Sequence, residues 1–268
     1  MMDVALFLAA PAAMAILLVG IHAYLGLHVL ERDVIFVDIG LSQVAALGAA
    51  ISLFFVPEGE GYLGLGLSLA FCLFTAWALA MFRRIERELS QEVLIGMTYA
   101  LASALMILVA DRLPHGTEHL KHALIGNILF VTWPQVLETL AVYSVIGLIH
   151  WRFQKAFWRA SRGEKGSFFW DFLFYILFGV VITFSTHHAG VLVVFSILVA
   201  PAALASRFFK TLRSRLLVAW SIGAVGVIAG FALSYALDVP AGAGIVSLLT
   251  AGFFASLVLA RFIPQVSK

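Results

Sequence analysis

Hydrophobic positions run along this chain in blocks of about 17 to 25 residues, the length that crosses a hydrocarbon core of about 30 Å, and polar positions collect in short stretches between them. The blocks predict helices near 4–27, 34–56, 62–82, 92–110, 133–150, 169–186, 190–206, 215–236 and 242–262. Nine spans result, or eight if the pair from 169 to 206, separated only by THHAG, contains a re-entrant or tilted element. The polar connectors alternate in character. RRIERELSQ, WRFQKAFWRASRGEKGS, RFFKTLRSR and the terminal RFIPQVSK are basic, whereas PEGEG, DRLPHGTEHLKHALIGN, THHAG and LDVPAGAG are acidic or carry histidine. Basic connectors stay on the cytoplasmic side, so nine spans put the N-terminus outside and the C-terminus inside.

Composition sharpens this into a class. The 268 residues are 62% hydrophobic and 12% charged, with a mean hydropathy of +1.03, which describes an integral membrane protein. The apolar blocks continue from end to end, so residues 1–268 are expected to form a single all-α, polytopic transmembrane helical bundle. A net charge of +2 gives no footprint for nucleic acid. Cys72 is the sole cysteine, which excludes an internal disulfide and a cysteine-based metal cluster. The opening MMDVALFLAA lacks a basic n-region, so its apolar run is expected to remain as a span.

Four places depart from plain hydrophobicity. In DVIFVDIGLSQVAALGAA, helical spacing aligns Asp38, Ser42, Ala45 and Ala49 on one stripe, polar at one end and small throughout. A carboxylate in a span faces the protein interior or a water-filled path; alternatively Asp38 sits at a helix end, hydrated or paired with Arg32. The connector 111–131 holds His115, Glu118, His119 and His122, a zinc, manganese or ferrous-iron ligand set at spacings of three and four, although Pro114 and Gly116 make its start irregular. His187 and His188 lie in a second connector on the same side; as neighbours in sequence they point apart. The connector 151–168 interleaves Arg152, Lys155, Arg159, Arg162 and Lys165 with Trp151, Phe153, Phe157 and Trp158. It is predicted to form an amphipathic element that lies on anionic lipid or docks on a cytoplasmic partner. Pro201, within VLVVFSILVAPAALASR, marks a broken or kinked span.

Taken in order, five segments resemble the permease subunit of ATP-binding-cassette importers for zinc, manganese and iron: VLERDVIFVDIGLSQVAALGAA, QEVLIGMTYALASALMILVAD, HALIGNILFVTWPQV, VLVVFSILVAPAALASRF and LDVPAGAGIVSLL. The resemblance runs from about residue 20 to residue 262. It implies a permease in a prokaryotic cytoplasmic (inner) membrane. Such a permease pairs with a second copy of itself, binds a dimer of cytoplasmic ATPases, and receives a divalent metal from an external substrate-binding protein. ATP is used by the partner, and the permease has no cofactor of its own. The resemblance also assigns the coupling element to residues 153–166, with Phe157 and Trp158 as docking anchors, and a transport path to Asp38 with Glu92 at the family's acidic position. In the family a histidine follows the aspartate by four residues. Here Ser42 stands at that spacing, and Gln43 stands where an alignment on Gly48 places the histidine.

No Gly-x4-Gly-Lys-Ser/Thr phosphate loop occurs, so a transport subunit would draw on a partner for ATP hydrolysis. Two other readings remain open from sequence. One is a histidine-box membrane metalloenzyme built on the H-x3-H-x2-H run of His115, His119 and His122. The other is an ion-gradient-driven secondary transporter built on an intramembrane aspartate.

Overall fold

The computed structural model describes residues 2–56, 62–85, 89–164 and 168–259. The connector at 57–61, the middle of the basic connector at 86–88, Lys165 and the basic run 261–268 lie outside the described residues.

Eleven α-helices make up the described chain: α1 (Met2–Glu31), α2 (Val37–Ser52), α3 (Tyr62–Ile85), α4 (Gln91–Ala110), α5 (Gly116–Ile125), α6 (Trp133–Arg152), α7 (Gln154–Ser161), α8 (Phe168–Ala189), α9 (Val191–Phe208), α10 (Leu212–Leu237) and α11 (Ala241–Leu259), with a 3-10 turn at Ile128–Phe130. Among the described residues there is no strand. Seven helices are long and apolar enough to cross a bilayer, and the α6–α7 pair, bent by 81° at Phe153, makes an eighth when the two are taken as one broken span.

Where the helices sit follows from side-chain size. α1 and α9 are the most buried spans; Gly26 of α1 faces the Leu198 backbone of α9, leaving no room for a Cβ. α2 wedges between α3, α4 and α8, and nearly all its residues are buried. Its small residues permit this: a Cβ on Gly48 would sit 2.7 Å from the Leu67 carbonyl oxygen of α3. α9, α10 and α11 form a second group, with Gly230 of α10 against Ile245 of α11. α1 packs on α9 and α10 of this second group, α8 joins α2 and α3 to α9, and the two supply much of the shared core, including Met14, Leu18, Leu25, Phe174 and Phe178.

Two expectations are corrected. The segment 34–56 is not a full-length span. α2 has 16 residues, about 24 Å at 1.5 Å per residue, against a core of about 30 Å, because turns occupy its flanks before Val37 and after Ser52. THHAG is not a loop: Thr186 to Ala189 complete α8, and Gly190 alone separates α8 from α9. Gly190 has φ +79°, and its Cα faces the backbone of Gly126, itself at φ +71°, so only glycines let these two chain segments touch. The pair from 169 to 206 is therefore two separate helices.

The connectors sort by end. Arg215 at the start of α10 pairs with Glu31 at the end of α1 at 3.2 Å, and Arg32 pairs with Asp171 at the start of α8 while bonding Ser161 of α7. The basic connectors 151–164 and 207–215 thus share one end of the molecule. The histidine-bearing α5 and the C-terminus of α8 meet elsewhere, where Asn127 N–H donates to the His188 carbonyl at 3.2 Å.

Candidate functional site

Ala45, Ala49, Ser68, Met106 and the C-terminal half of α8 enclose a cavity of about 130 Å³, and α5 closes one side of it. His119 and His122 of α5 and His187 of α8 line this cavity together with Asn127, Thr183 and Thr186. The spacing of His119 and His122, three apart on one helix, puts both rings on the same side of α5. His187 reaches the cavity while its neighbour His188 is buried among protein atoms, as expected when adjacent helical residues point apart.

A hydroxyl chain leads from this cavity to Asp38. Thr186 Oγ1–H donates to Ser42 Oγ at 3.0 Å, and Ser42 Oγ–H reaches Asp38 Oδ1 at 3.5 Å. Asp38 is fully buried. Its one hydrogen bond is long, and Oδ2 has no partner. A buried carboxyl normally collects several donors, so Asp38 keeps acceptor capacity to spare. Arg32, which could have neutralised it from a helix end, is engaged with Asp171 instead.

Gln43 and Glu92, the other residues expected along a path, are arranged differently. Gln43 is buried with Oε1 unpartnered, but five residues on from Asp38 it is turned about 140° around α2 and leaves Asp38's face. Glu92 stands in the first turn of α4 with Oε2 buried and unpartnered; α4 meets α2 where Ile95 touches Gly40. Asp38 Oδ2, Gln43 Oε1 and Glu92 Oε2 are all acceptors lacking donors, yet among the described residues no group of three or more His, Cys, Asp or Glu converges on a metal position. The histidine connector splits likewise. His115 is the N-cap of α5 at φ 57°, outside the cavity lining with Glu118, and only His119 and His122 enter. The H-x3-H-x2-H run therefore does not assemble as a three-histidine centre.

At the opposite end, α7 is amphipathic as expected. Arg152, Lys155, Arg159 and Arg162 are exposed, and Trp158 is half-buried beside a groove lined by Gln154, Lys155, Arg159 and Leu212. Phe157 is corrected: expected as a docking anchor, it is 0% exposed and stacks on His150 of α6 at 4.0 Å.

The three histidines outside the connectors, His22, His28 and His150, are buried in one polar seam between α1, α6, α7 and α8, which sequence reasoning missed. His22 Nδ1–H donates to Leu18 O at 2.9 Å, and Nε2 lies 3.1 Å from the Ser185 hydroxyl, which donates to the Val181 carbonyl at 2.6 Å and is bonded by Tyr143 as well. His28 bonds Ser161, and His150 meets Tyr24. The available signal was histidine itself inside apolar runs, at positions 22 and 28 of the first span.

A short buried helix with an under-paired carboxylate, a polar cavity beside it and a basic amphipathic element at the far end are set in a polytopic, all-α bundle of membrane-spanning length. The chain belongs to the ABC 3 transport family, which matches residues 5–260. It is 30% identical over 189 residues to a probable metal transport system membrane protein of Chlamydia pneumoniae, covering 67% of this chain and 63% of that one. It is 26% identical over 182 residues to the manganese transport system membrane protein MntC of Listeria monocytogenes, covering 65% of each. A probable iron transport system membrane protein of Haemophilus influenzae matches at 24% over 256 residues, 92% of this chain and 86% of that one. The chain thus spans under two thirds of the length of the Chlamydia and Listeria relatives. The fold is similar to that of PsaBC from Streptococcus pneumoniae, solved in complex with Fab, with a TM-score of 0.76 at 24% identity over 93% of this chain and 90% of that one.

Proposed function

We propose that this chain is the membrane permease of an ATP-driven importer that carries a divalent transition metal, with manganese as the first cargo to test, into the cytoplasm of a prokaryote. The observation that carries this reading is Asp38: a fully buried carboxyl with a free Oδ2, joined by the Ser42 and Thr186 hydroxyls to a cavity edged by His119, His122 and His187. Buried charge without compensation is expensive, so such an oxygen is retained where a cation passes. Oxygen donors suit a hard ion such as Mn²⁺, and the imidazoles extend the range to iron and zinc. The relatives named for manganese and iron point the same way.

In this reading the basic end, with α7, faces the cytoplasm and meets an ATPase dimer through Arg152, Lys155, Trp158, Arg159 and Arg162. The cavity end faces outward toward a substrate-binding protein, and a second copy of the chain completes the permease. Metal enters past His119, His122 and His187, contacts Asp38 transiently, and leaves toward Glu92 and Gln43 as the helices tilt. Asp38, with Ser42 in place of a ligating imidazole, makes a weak stopping point suited to passage rather than storage.

Manganese uptake by vesicles containing the permease with its ATPase and binding protein tests this. The unaltered complex should take up Mn²⁺ only with ATP inside the ATPase-facing compartment, and Asp38→Ala should lower the rate about tenfold or more while the ATPase still co-purifies, about 1.4 kcal/mol of lost path stabilisation. Undiminished uptake by Asp38→Ala would remove this residue from the path. ATP-independent uptake by the lone chain would instead favour the gradient-driven reading.

A further inference from the structure

Ser161 is the last residue of α7 and is 2% exposed. Its hydroxyl accepts from His28 Nδ1–H at 2.7 Å and from Arg32 Nε–H at 3.1 Å, and donates to the Phe157 carbonyl at 3.0 Å. A hydroxyl offers one proton and two lone pairs, and all three are in use. The same arrangement fixes His28 as the Nδ1–H tautomer.

Arg32 carries the connection onward. Its Nε binds Ser161 of α7 while Nη1 pairs with Asp171 of α8, and its Cζ lies 4.1 Å from the centre of the Phe174 ring. The guanidinium is a planar fork, so its two ends cannot move independently, and the ring beneath it resists tilting. Midway along its length α7 is held by the stacking of Phe157 on His150. A displacement of α7 is therefore not absorbed at a loose hinge; it pulls on α1 and on the start of α8. α8 runs unbroken from Phe168 to Ala189, and about 18 to 24 Å along it from Asp171 stand Thr183, Thr186 and His187 of the cavity, at 1.5 Å per residue.

We infer that Ser161 is a positioning residue for transport: through His28 and the Arg32–Asp171 pair it transmits displacement of α7 to α8, and so couples the basic end to the cavity. This rests on the reading of α7 as the ATPase-facing element.

The test uses the assembled permease–ATPase complex in vesicles, with Cys72→Ala to remove the native thiol and Ala49→Cys, a part-exposed position of the cavity wall, as a reporter. Maleimide labelling of the reporter is timed without nucleotide and after trapping with ATP and vanadate. In this background the labelling rate should differ by at least about fivefold between the two states, the low end of measured coupling between distant sites. Ser161→Ala should abolish that difference with the ATPase still bound, and Ser161→Thr, which restores the hydroxyl, should recover it. A nucleotide response that persists in Ser161→Ala overturns the inference, as does loss of the ATPase from that variant, which would make the hydroxyl a requirement for assembly. Absence of any response in the background itself defeats the transporter reading and carries this inference down with it, an outcome distinct from either of the others.

Discussion

Arg32 shows how a single charge is made tolerable inside an apolar bundle. Its side chain is wholly buried, but the Asp171 carboxylate, the Ser161 hydroxyl and the face of Phe174 surround the guanidinium. Removing one member of a buried ion pair exposes the other to a low-dielectric surrounding and costs roughly 3 to 5 kcal/mol. Arg32→Ala should therefore lower the thermal unfolding midpoint of the detergent-solubilised protein clearly, whereas Arg207→Ala, which removes a partly exposed residue from the last turn of α9, should leave it nearly unchanged. Asp38 is the opposite case, a buried carboxyl left short of donors, and the contrast separates a group whose partners hold the fold together from one left with acceptor capacity to spare. Sequence spacing exposed Asp38, Ser42 and their stripe because all lie on one helix. It could not expose the seam of His28, Arg32 and Ser161, whose partners are 133 and 129 residues apart in the chain.

Among the elements, hydropathy located the helices well and their ends poorly. A run such as 34–56 is apolar whether it faces lipid or protein, so the pattern cannot report that α2 is a 16-residue wedge enclosed by α3, α4 and α8. Likewise, THHAG looked like a loop because its histidines and threonine are polar, yet they complete α8 with His188 buried. Phe157 faced inward for a related reason: an amphipathic helix has an apolar face, but sequence does not say whether the protein or a partner covers it. The boundary itself depends on Gly190. Its backbone conformation is one that side chains rarely adopt, worth of order 1–3 kcal/mol of strain, and a Cβ would drive into the Gly126 backbone. Gly190→Ala should accordingly reduce both the yield of folded protein and its melting temperature, read by fluorescence-monitored size exclusion after heating.

For the molecule as a whole, the exposed apolar side chains fall on the outer helices, as with Met97 and Leu108 of α4, Leu148 of α6, Val225 of α10 and Phe254 of α11. In lipid such faces need no protein cover, and close helix contact is left to the small residues. Most of the exposed basic side chains among the described residues are by contrast gathered at the α7 end. Arg159→Glu combined with Arg162→Glu should strip the ATPase from the permease at 150 mM salt, since reversing exposed charges turns attraction into repulsion, without disturbing the buried Ser161 seam. Affinity purification with quantified ATPase checks this; a full complement of ATPase on the double variant would place the docking surface elsewhere.

The one-residue link at Gly190 also governs how the protein can be mapped and engineered. Two long helices meet there with no slack, so an inserted epitope or reporter would have to force α8 and α9 apart and pull Gly126 from its contact. The exposed turns at 112–115 and 162–164 have backbone open to solvent and lie on the connectors with opposite charge character. Those two turns are the insertion points that leave the bundle intact, and a pair of tags placed there would read the sidedness of the chain directly in whole cells.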